Sequence, residues 1–294
     1  MRGAGASRGD ARWARHCNAP GHAQRLQRRV IAARALGEPL LSSDGTASPD
    51  AIASYVRDGF LVVPNFASPD EVAAMKARAE QLVEDFDPQT VSVFSTRRQE
   101  STLSAESARD YFLDSANNIS FFFEEDAFDP DTGALRQAKS HSINKIGHAM
   151  HDLDPVFREF SRSPKMASLL ESLGYRRPTP VQSMYIFKQP KIGGEVVPHQ
   201  DSTFLHTSPP SVIGIWLALE DATVENGCLW GWPGSHTALR SGDEPERRML
   251  LDSSTRDISF DPQDPVEHDL TPYKAIEVPA GTLVLFHGAF YHLR

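Results

Sequence analysis

The sequence predicts a mainly β fold with flanking helices (α+β), and three observations support this class. After residue 178 the chain consists of short β-branched and aromatic runs broken by glycine, proline and asparagine, as in a β-sandwich or barrel. Before residue 175, apolar residues recur at helical spacing instead. The 294 residues are 40% hydrophobic and 23% charged and contain no internal repeat, a globular composition that suits one large domain or two modest ones.

The first part of the predicted fold is a helix, a strand and a second helix. Ser48 can cap a helix that has proline at its first position, and Gly59 can end it. Residues 60–63 are Phe-Leu-Val-Val and predict a strand. Ser68 and Glu71 have the spacing of a capping box, and the apolar positions behind them keep helical spacing until the next proline.

The remaining elements are apolar runs separated by two polar stretches. Residues 119–123 predict an aromatic strand, and the prolines after Asp154 and Ser163 predict two helix starts. Residues 88–118 and 241–272 are polar and predict surface segments that could act as lids. Further strands are expected at residues 181–188, 196–201, 212–219, 229–232, 276–278 and 282–286.

The charges divide the chain into a basic leader and an acidic body. Residues 1–37 contain eight arginines, no lysine and one acid, so of the total charge of −9 they carry +7 and leave −16 on residues 38–294. An acidic body argues against nucleic-acid binding as the main function. We expect residues 1–47 to be an organellar transit peptide, a disordered extension or the product of a misassigned start codon.

Apolar runs and cysteines limit where such a protein can work. No window approaches 18 consecutive apolar residues, so we expect no membrane span. Cys17 and Cys228 are far apart and form neither a disulfide framework nor a cysteine-rich zinc site. A reducing compartment therefore fits best. We expect an intracellular, cytoplasmic protein, or one imported into a mitochondrion or plastid if the leader is a transit peptide.

A histidine and a carboxylate, His199 and Asp201, follow a glycine pair and a proline. In an extended strand, residues i and i+2 project from the same face, so these side chains would lie together while Gln200 points away. They would supply two thirds of a 2-His-1-carboxylate site, the ligand set of non-haem Fe(II) oxygenases. His292 is the candidate third ligand. The spacing alone also fits an ordinary surface or core pair, so the surrounding motifs have to decide.

Further motifs flank this pair in a fixed order. They are residues 58–62 (DGFLV), 142–149 (SINKIGHA), 182–190 (QSMYIFKQP), 193–201 (GGEVVPHQD), 220–230 (EDATVENGCLW) and 233–236 (PGSH). In this order they resemble the phytanoyl-CoA dioxygenase family. The resemblance extends from residue 48 to the end of the chain, and it defines residues 48–294 as one predicted domain.

This resemblance implies a double-stranded β-helix (jelly roll, cupin-like) that binds Fe(II) and the cosubstrate 2-oxoglutarate. By position, His199, Asp201 and His292 match the family's iron ligands. The implied reaction uses O2, converts 2-oxoglutarate to succinate and CO2, and hydroxylates a small molecule, for which the family name suggests an acyl-CoA or lipid-like compound. An aspartate at 201 favours hydroxylation over halogenation, because an iron halogenase would have alanine or glycine there.

The resemblance also implies a cosubstrate pocket lined by Lys145, Met184 and Trp216. Taken alone, Lys145 would be interpreted as a surface lysine with a partly buried stem, and the other two as core residues. We expect His148 and His236 in surface or loop positions, with His236 hydrogen-bonded to a backbone group.

One departure from the family pattern concerns the end of the sequence. The family has another strand after the distal histidine, with an arginine about nine to ten residues on that pairs with the far carboxylate of 2-oxoglutarate. This sequence ends at Arg294, too close to take that role, so we expect a jelly roll without its last strand that binds 2-oxoglutarate poorly. Two alternative functions stay open: a catalytically impaired metal-binding protein, and a zinc or manganese hydrolase or isomerase of the cupin type.

Overall fold

The computed structural model describes residues 40–88, 93, 106–237, 245–262 and 268–294. Residues 1–39 of the predicted leader, residues 89–92 and 94–105 of the first polar stretch and residues 241–244 and 263–267 of the second lie outside the described residues. The last part of the predicted leader, residues 40–47, lies against the folded body, where the Ala47 amide donates a hydrogen bond of 3.0 Å to Ser172 Oγ. None of the described helices combines the length and apolarity needed to cross a bilayer.

The described part of the chain forms six α-helices and eleven strands. The helices are α1 (Pro49–Asp58), α2 (Pro69–Asp85), α3 (Glu106–Asp114), α4 (Met150–Leu153), α5 (Pro155–Ser161) and α6 (Pro164–Ser172). The strands are β1 (Phe60–Val63), β2 (Ile119–Phe123), β3 (Ile143–His148), β4 (Ser183–Ile186), β5 (Ile213–Leu217), β6 (Leu229–Gly231), β7 (Arg248–Leu251), β8 (Ile258–Asp261), β9 (Lys274–Ile276), β10 (Leu283–His287) and β11 (His292–Leu293).

The first two helices begin where their capping residues predict. Ser48 Oγ accepts a hydrogen bond from the Ala51 amide at 3.2 Å, and Gly59 ends α1 with a φ of 79°. At the start of α2, Ser68 Oγ accepts from the Glu71 amide and the Glu71 carboxylate accepts from the Ser68 amide. Both predicted helices are confirmed.

Two three-stranded antiparallel sheets face each other and form the core. Their strand orders are β1-β10-β5 and β11-β6-β9. Alternation along the first sheet turns Phe60, Val284 and Phe286 inward, where they pack with Leu229 and Ile276 of the second sheet. Burial of each such apolar side chain stabilises the fold by about 1.5–3 kcal/mol. The predicted mainly β core with flanking helices is confirmed.

Helices cover the remaining sheet faces. Tyr55 of α1 and Leu169 of α6 pack on the outer face of the first sheet, against Leu285. A third sheet, with the order β2-β3-β4, packs against α2, where Val83 shares a cluster with Ile146. The strand β3 of this third sheet carries Lys145, so the third sheet helps to form the site described below.

The strand predicted at residues 196–201 is wrong in extent. Backbone hydrogen bonds join Val196 to Arg294 and His199 to His292, but Pro198 between them has no N–H to donate. From Asp201 the chain turns into a short 3-10 helix. The strand β3 and the hairpin β7-β8, which were not predicted, lie where charged side chains interrupt the apolar pattern.

Candidate metal centre

Three potential ligands converge on one point; we call His199, Asp201 and His292 the His/Asp/His cluster. The Nε2 atoms of His199 and His292 lie 3.6 and 3.7 Å from the same atom, Asp201 Oδ1. All three ligand atoms lie within 4.8 Å of one another. Atoms that share a metal at ~2.1 Å are separated by roughly 3–4 Å, and both histidine–carboxylate distances fall in this range, so the three groups could hold one ion.

The backbone brings these side chains together without a regular strand. Reciprocal hydrogen bonds of 3.0 and 3.1 Å pair His199 with His292, and their ring centroids are 4.1 Å apart. Gln200 keeps an extended backbone, with φ −111° and ψ 135°, so Asp201 returns to the side of His199. The Gln200 side chain points away and donates to the Ala289 carbonyl at 2.7 Å. The shared face predicted from the i, i+2 spacing is therefore present.

Each imidazole is oriented by its own chain. His199 Nδ1 lies 2.9 Å from the carbonyl oxygen of Val197, and His292 Nδ1 lies 3.1 Å from that of Phe290. A carbonyl oxygen can only accept a hydrogen bond, so each Nδ1 carries the proton. Each Nε2 is then left with a lone pair on the side of Asp201, the form in which histidine binds a metal.

Desolvation controls the charges of this cluster. Burial lowers the pKa of His199 and of His292, and it raises the pKa of Asp201. The side chains of His199 and Asp201 are nevertheless 24% and 28% exposed, so solvent reaches them through an opening that we call the cleft. The imidazoles stay neutral, and the desolvated carboxylate would be stabilised by a cation.

Aromatic rings support His292 from behind. The ring centroid of His292 is 4.4 Å from that of Phe286, and the Phe290 ring is nearly parallel to it at 6.4 Å. Gly214 on the neighbouring strand leaves room for Phe286, because a Cβ at 214 would lie 2.0 Å from its ring. The glycine and the two phenylalanines thus fix the position of the imidazole.

A second group of charges lies in the same cleft; we call Lys145, Lys188 and Arg294 the cationic cluster. Burial and the nearby Arg294 charge lower the pKa of Lys145 to about 7 and that of Lys188 to about 8. Burial also lowers the pKa of Arg294 to about 10, although Asp201 acts in the opposite direction. The charge of Arg294 acts on both lysines in this way, and such a concentration of positive charge suits an anion.

Known proteins can now be compared with this fold and site. The family model of phytanoyl-CoA dioxygenase (PhyH) matches residues 55–293. The chain belongs to the phytanoyl-CoA dioxygenase family. Membership makes it an oxidoreductase of the dioxygenase type and confirms the resemblance found in the sequence.

Two relatives and one solved structure illustrate the similarity. Rice (Oryza sativa subsp. japonica) phytanoyl-CoA dioxygenase 1 is 50% identical over 248 residues, which cover 84% of this chain and 83% of the relative. Bovine (Bos taurus) phytanoyl-CoA dioxygenase domain-containing protein 1 is 46% identical over 250 residues, covering 83% of each. The carbocyclase SnoK from nogalamycin biosynthesis superposes with a TM-score of 0.54 at 19% identity, covering 86% of this chain and 80% of SnoK. That structural likeness concerns the fold.

The other residues predicted from the family lie around the cleft in different ways. Lys145 is only 6% exposed, with Nζ 5.1 Å from the Phe122 ring centroid, so its interpretation as a surface lysine is wrong. Met184 is 43% exposed rather than packed in the core. Trp216 is half-buried on β5 and shares the inner face of the sheet with Phe286.

Two polar residues of this region were missed or misplaced by the sequence analysis. Because Ile186 pairs with Lys145, the i, i+2 spacing of Ile186 and Lys188 places Lys188 on the side of Lys145. This inference needs the register between β3 and β4, which the sequence alone does not provide. His148, expected at the surface, is 3% exposed, with Nδ1 2.7 Å from Ser115 Oγ, and burial lowers its pKa to about 3. The prediction that His236 is hydrogen-bonded to a backbone group is confirmed, because its Nε2 lies 3.0 Å from the carbonyl oxygen of Val56 in α1.

Proposed function

We propose that this protein is an Fe(II)- and 2-oxoglutarate-dependent dioxygenase that hydroxylates a small molecule. The observation that carries the proposal is the convergence of two Nε2 lone pairs and one carboxylate oxygen in the His/Asp/His cluster. This ligand set leaves further coordination positions open, as in non-haem iron oxygenases. SnoK, whose fold is similar, is a non-haem, alpha-ketoglutarate (2-oxoglutarate) dependent carbocyclase, which agrees with this assignment.

The residues of the cluster fit ferrous iron, whose chemistry when bound would be the oxidative decarboxylation of 2-oxoglutarate coupled to substrate oxidation. His199 and His292 would each bind through Nε2, since Nδ1 is used by a backbone carbonyl. Asp201 would bind through the carboxylate, whose desolvated charge the ion compensates. A retained Asp201 leaves no position for a halide, and this supports hydroxylation.

The cationic cluster supplies the counter-charge for a dicarboxylate cosubstrate. Lys145 would donate a charge-assisted hydrogen bond to a carboxylate, and a bound anion would return its pKa toward the usual range. Met184 and Trp216 would provide apolar contact for the methylene groups between the two carboxylates. The names of the rice and bovine relatives make an acyl-CoA the first substrate class to examine.

The test is O2-dependent formation of succinate from 2-oxoglutarate in the presence of Fe(II). We expect turnover by the wild type and a loss of at least ~100-fold in His199→Ala and Asp201→Ala, because each removes a first-sphere ligand. His141→Ala is the matched control, since His141 is exposed and outside the cluster. Metal-dependent turnover without 2-oxoglutarate, supported by zinc or manganese, would overturn the proposal in favour of a hydrolase or isomerase.

A further inference from the structure

The described parts of the two polar stretches contact each other through ion pairs. Nη1 of Arg109, on α3, lies 2.5 Å from Oδ1 of Asp257 at the turn of the β7-β8 hairpin. In the hairpin, Nη2 of Arg256 lies 2.7 Å from Oδ1 of Asp114, and its Nε lies 3.0 Å from Oδ1 of Asp110; both aspartates are on α3. Each element therefore supplies both an arginine and a carboxylate, so the charges fix how the two elements meet.

The helix α3 is anchored to the wall of the cleft that carries Lys145. The Tyr111 hydroxyl donates to the Phe121 carbonyl at 3.0 Å and accepts from the Phe121 amide at 3.1 Å. The Tyr111 ring packs edge-on against Phe122 at 5.3 Å, and Lys145 Nζ also lies against the Phe122 ring. A displacement of α3 would therefore change the surroundings of Lys145, because the Phe122 ring contacts both Tyr111 and Lys145.

The hairpin is anchored to the segment that carries two residues of the His/Asp/His cluster. The amide of Glu246, just before β7, donates to Gln200 Oε1 at 3.0 Å, and Gln200 lies between His199 and Asp201. Phe260 of β8 packs edge-on against Phe204 at 5.9 Å. The hairpin therefore rests directly on the turn that follows Asp201.

We propose that α3 and the β7-β8 hairpin form a bridge across the cleft, and that its ion pairs determine which molecules reach the metal. The part of the proposal that concerns the metal rests on the proposed function. The pairs of Arg256 are exposed and contribute little each, and in the pair of Arg109 with Asp257 only the carboxylate is exposed, at 63% against 13% for the arginine. Salt screens the exposed partners, so breaking these contacts releases the bridge without disrupting an apolar core. Small molecules pass beside the closed bridge, whereas large ones enter only when the ion pairs are broken.

The test compares how fast two chelators remove Fe(II) from the loaded protein. 2,2′-Bipyridine is the small probe, and bathophenanthroline disulfonate is the large one. Arg109→Gln and Asp257→Asn each break the same ion pair but change the net charge in opposite directions. We expect both variants to lose iron to the large chelator about threefold faster than wild type, with less than about a twofold change for the small one.

The charge exchange Arg109→Asp with Asp257→Arg is the matched control, and it should restore the wild-type rate. Opposite effects of the two single variants would indicate a general field effect and overturn the proposal, as would equal acceleration for both chelators. Hydrogen exchange of the amides at 248–261, which needs no metal, should be faster in both single variants; unchanged exchange also overturns the bridge. A wild type that holds no iron contradicts the proposed function instead, and the bridge is then decided by hydrogen exchange.

Discussion

The His/Asp/His cluster and the cationic cluster share one cleft but are built in opposite ways. The imidazoles of the first are oriented by carbonyl groups two residues back in the chain, and this orientation requires no ligand. The second collects charges from β3, from the residues after β4 and from the position after β11, and these charges oppose one another. The His/Asp/His cluster is thus preorganised, whereas the repulsion within the cationic cluster would be relieved only by a bound anion.

The largest expected effect is on metal affinity, which should depend on the His/Asp/His cluster and not on the cationic cluster. Asp201→Ala should weaken Mn(II) binding by at least ~100-fold, because it removes a ligand and leaves two neutral imidazoles. Lys145→Met should leave Mn(II) affinity within about threefold of wild type, since Lys145 is not one of the three groups that could hold the ion. Titration followed by electron paramagnetic resonance measures both, and similar losses in the two variants would show that the halves are not separable.

A smaller effect concerns the cosubstrate and its dependence on pH. Loss of a charge-assisted hydrogen bond, about 1.5–3 kcal/mol, should weaken 2-oxoglutarate binding to metal-loaded Lys145→Met about tenfold or more at pH 7. The pKa of Lys145 is about 7 without ligand, and the anion prefers the protonated form. Wild-type affinity should therefore fall as the pH rises from 7 to 9.

Calorimetric titration at several pH values checks this prediction. The profile of Lys145→Met should be flatter than that of wild type, and Lys76→Met, on α2 and outside the cleft, should retain the wild-type profile. An unchanged slope in Lys145→Met would assign the pH dependence to another group.

The smallest effect is expected at Lys188, which is more exposed than Lys145 and whose pKa burial lowers less, to about 8 rather than about 7. Because solvent screens an exposed charge, Lys188→Met should weaken 2-oxoglutarate binding by only about threefold, and Lys188→Arg should restore it. The same titration gives the comparison. A loss equal to that of Lys145→Met would show that burial does not rank the members of the cationic cluster.

The contrast between the two halves also explains what the sequence could predict. His199 and Asp201 of the His/Asp/His cluster depend on short-range geometry, which their spacing predicts. The family resemblance added His292, which a long-range backbone pairing places beside His199. The strand predicted at residues 196–201 was wrong in extent, but the shared side of His199 and Asp201 was still predicted correctly, because the backbone at Gln200 is extended.

The cationic half depends on parts of the chain that no local pattern connects. Lys145 lies against Phe122, which Tyr111 of α3 covers, and His148 contacts Phe112 of α3 and Ser115 of the turn after it. These residues come from a polar stretch that predicted only a surface segment. The hairpin β7-β8 was missed for a similar reason, since its charged side chains pair with those of α3. Long-range charge pairing leaves no periodic signal in a sequence.

The acceptors for the two imidazole protons are main-chain atoms, and this has a consequence for how the site can vary among relatives. A carbonyl oxygen is present whatever side chain the residue carries, so substitution at 197 or 290 does not delete the acceptor. Val197 is 37% exposed, so its side chain can change freely, while the fully buried Phe290 is held by packing alone. The acceptor for each imidazole proton is therefore inherited with the backbone, while the packing of Phe286 and Phe290 restricts which side chains can surround His292.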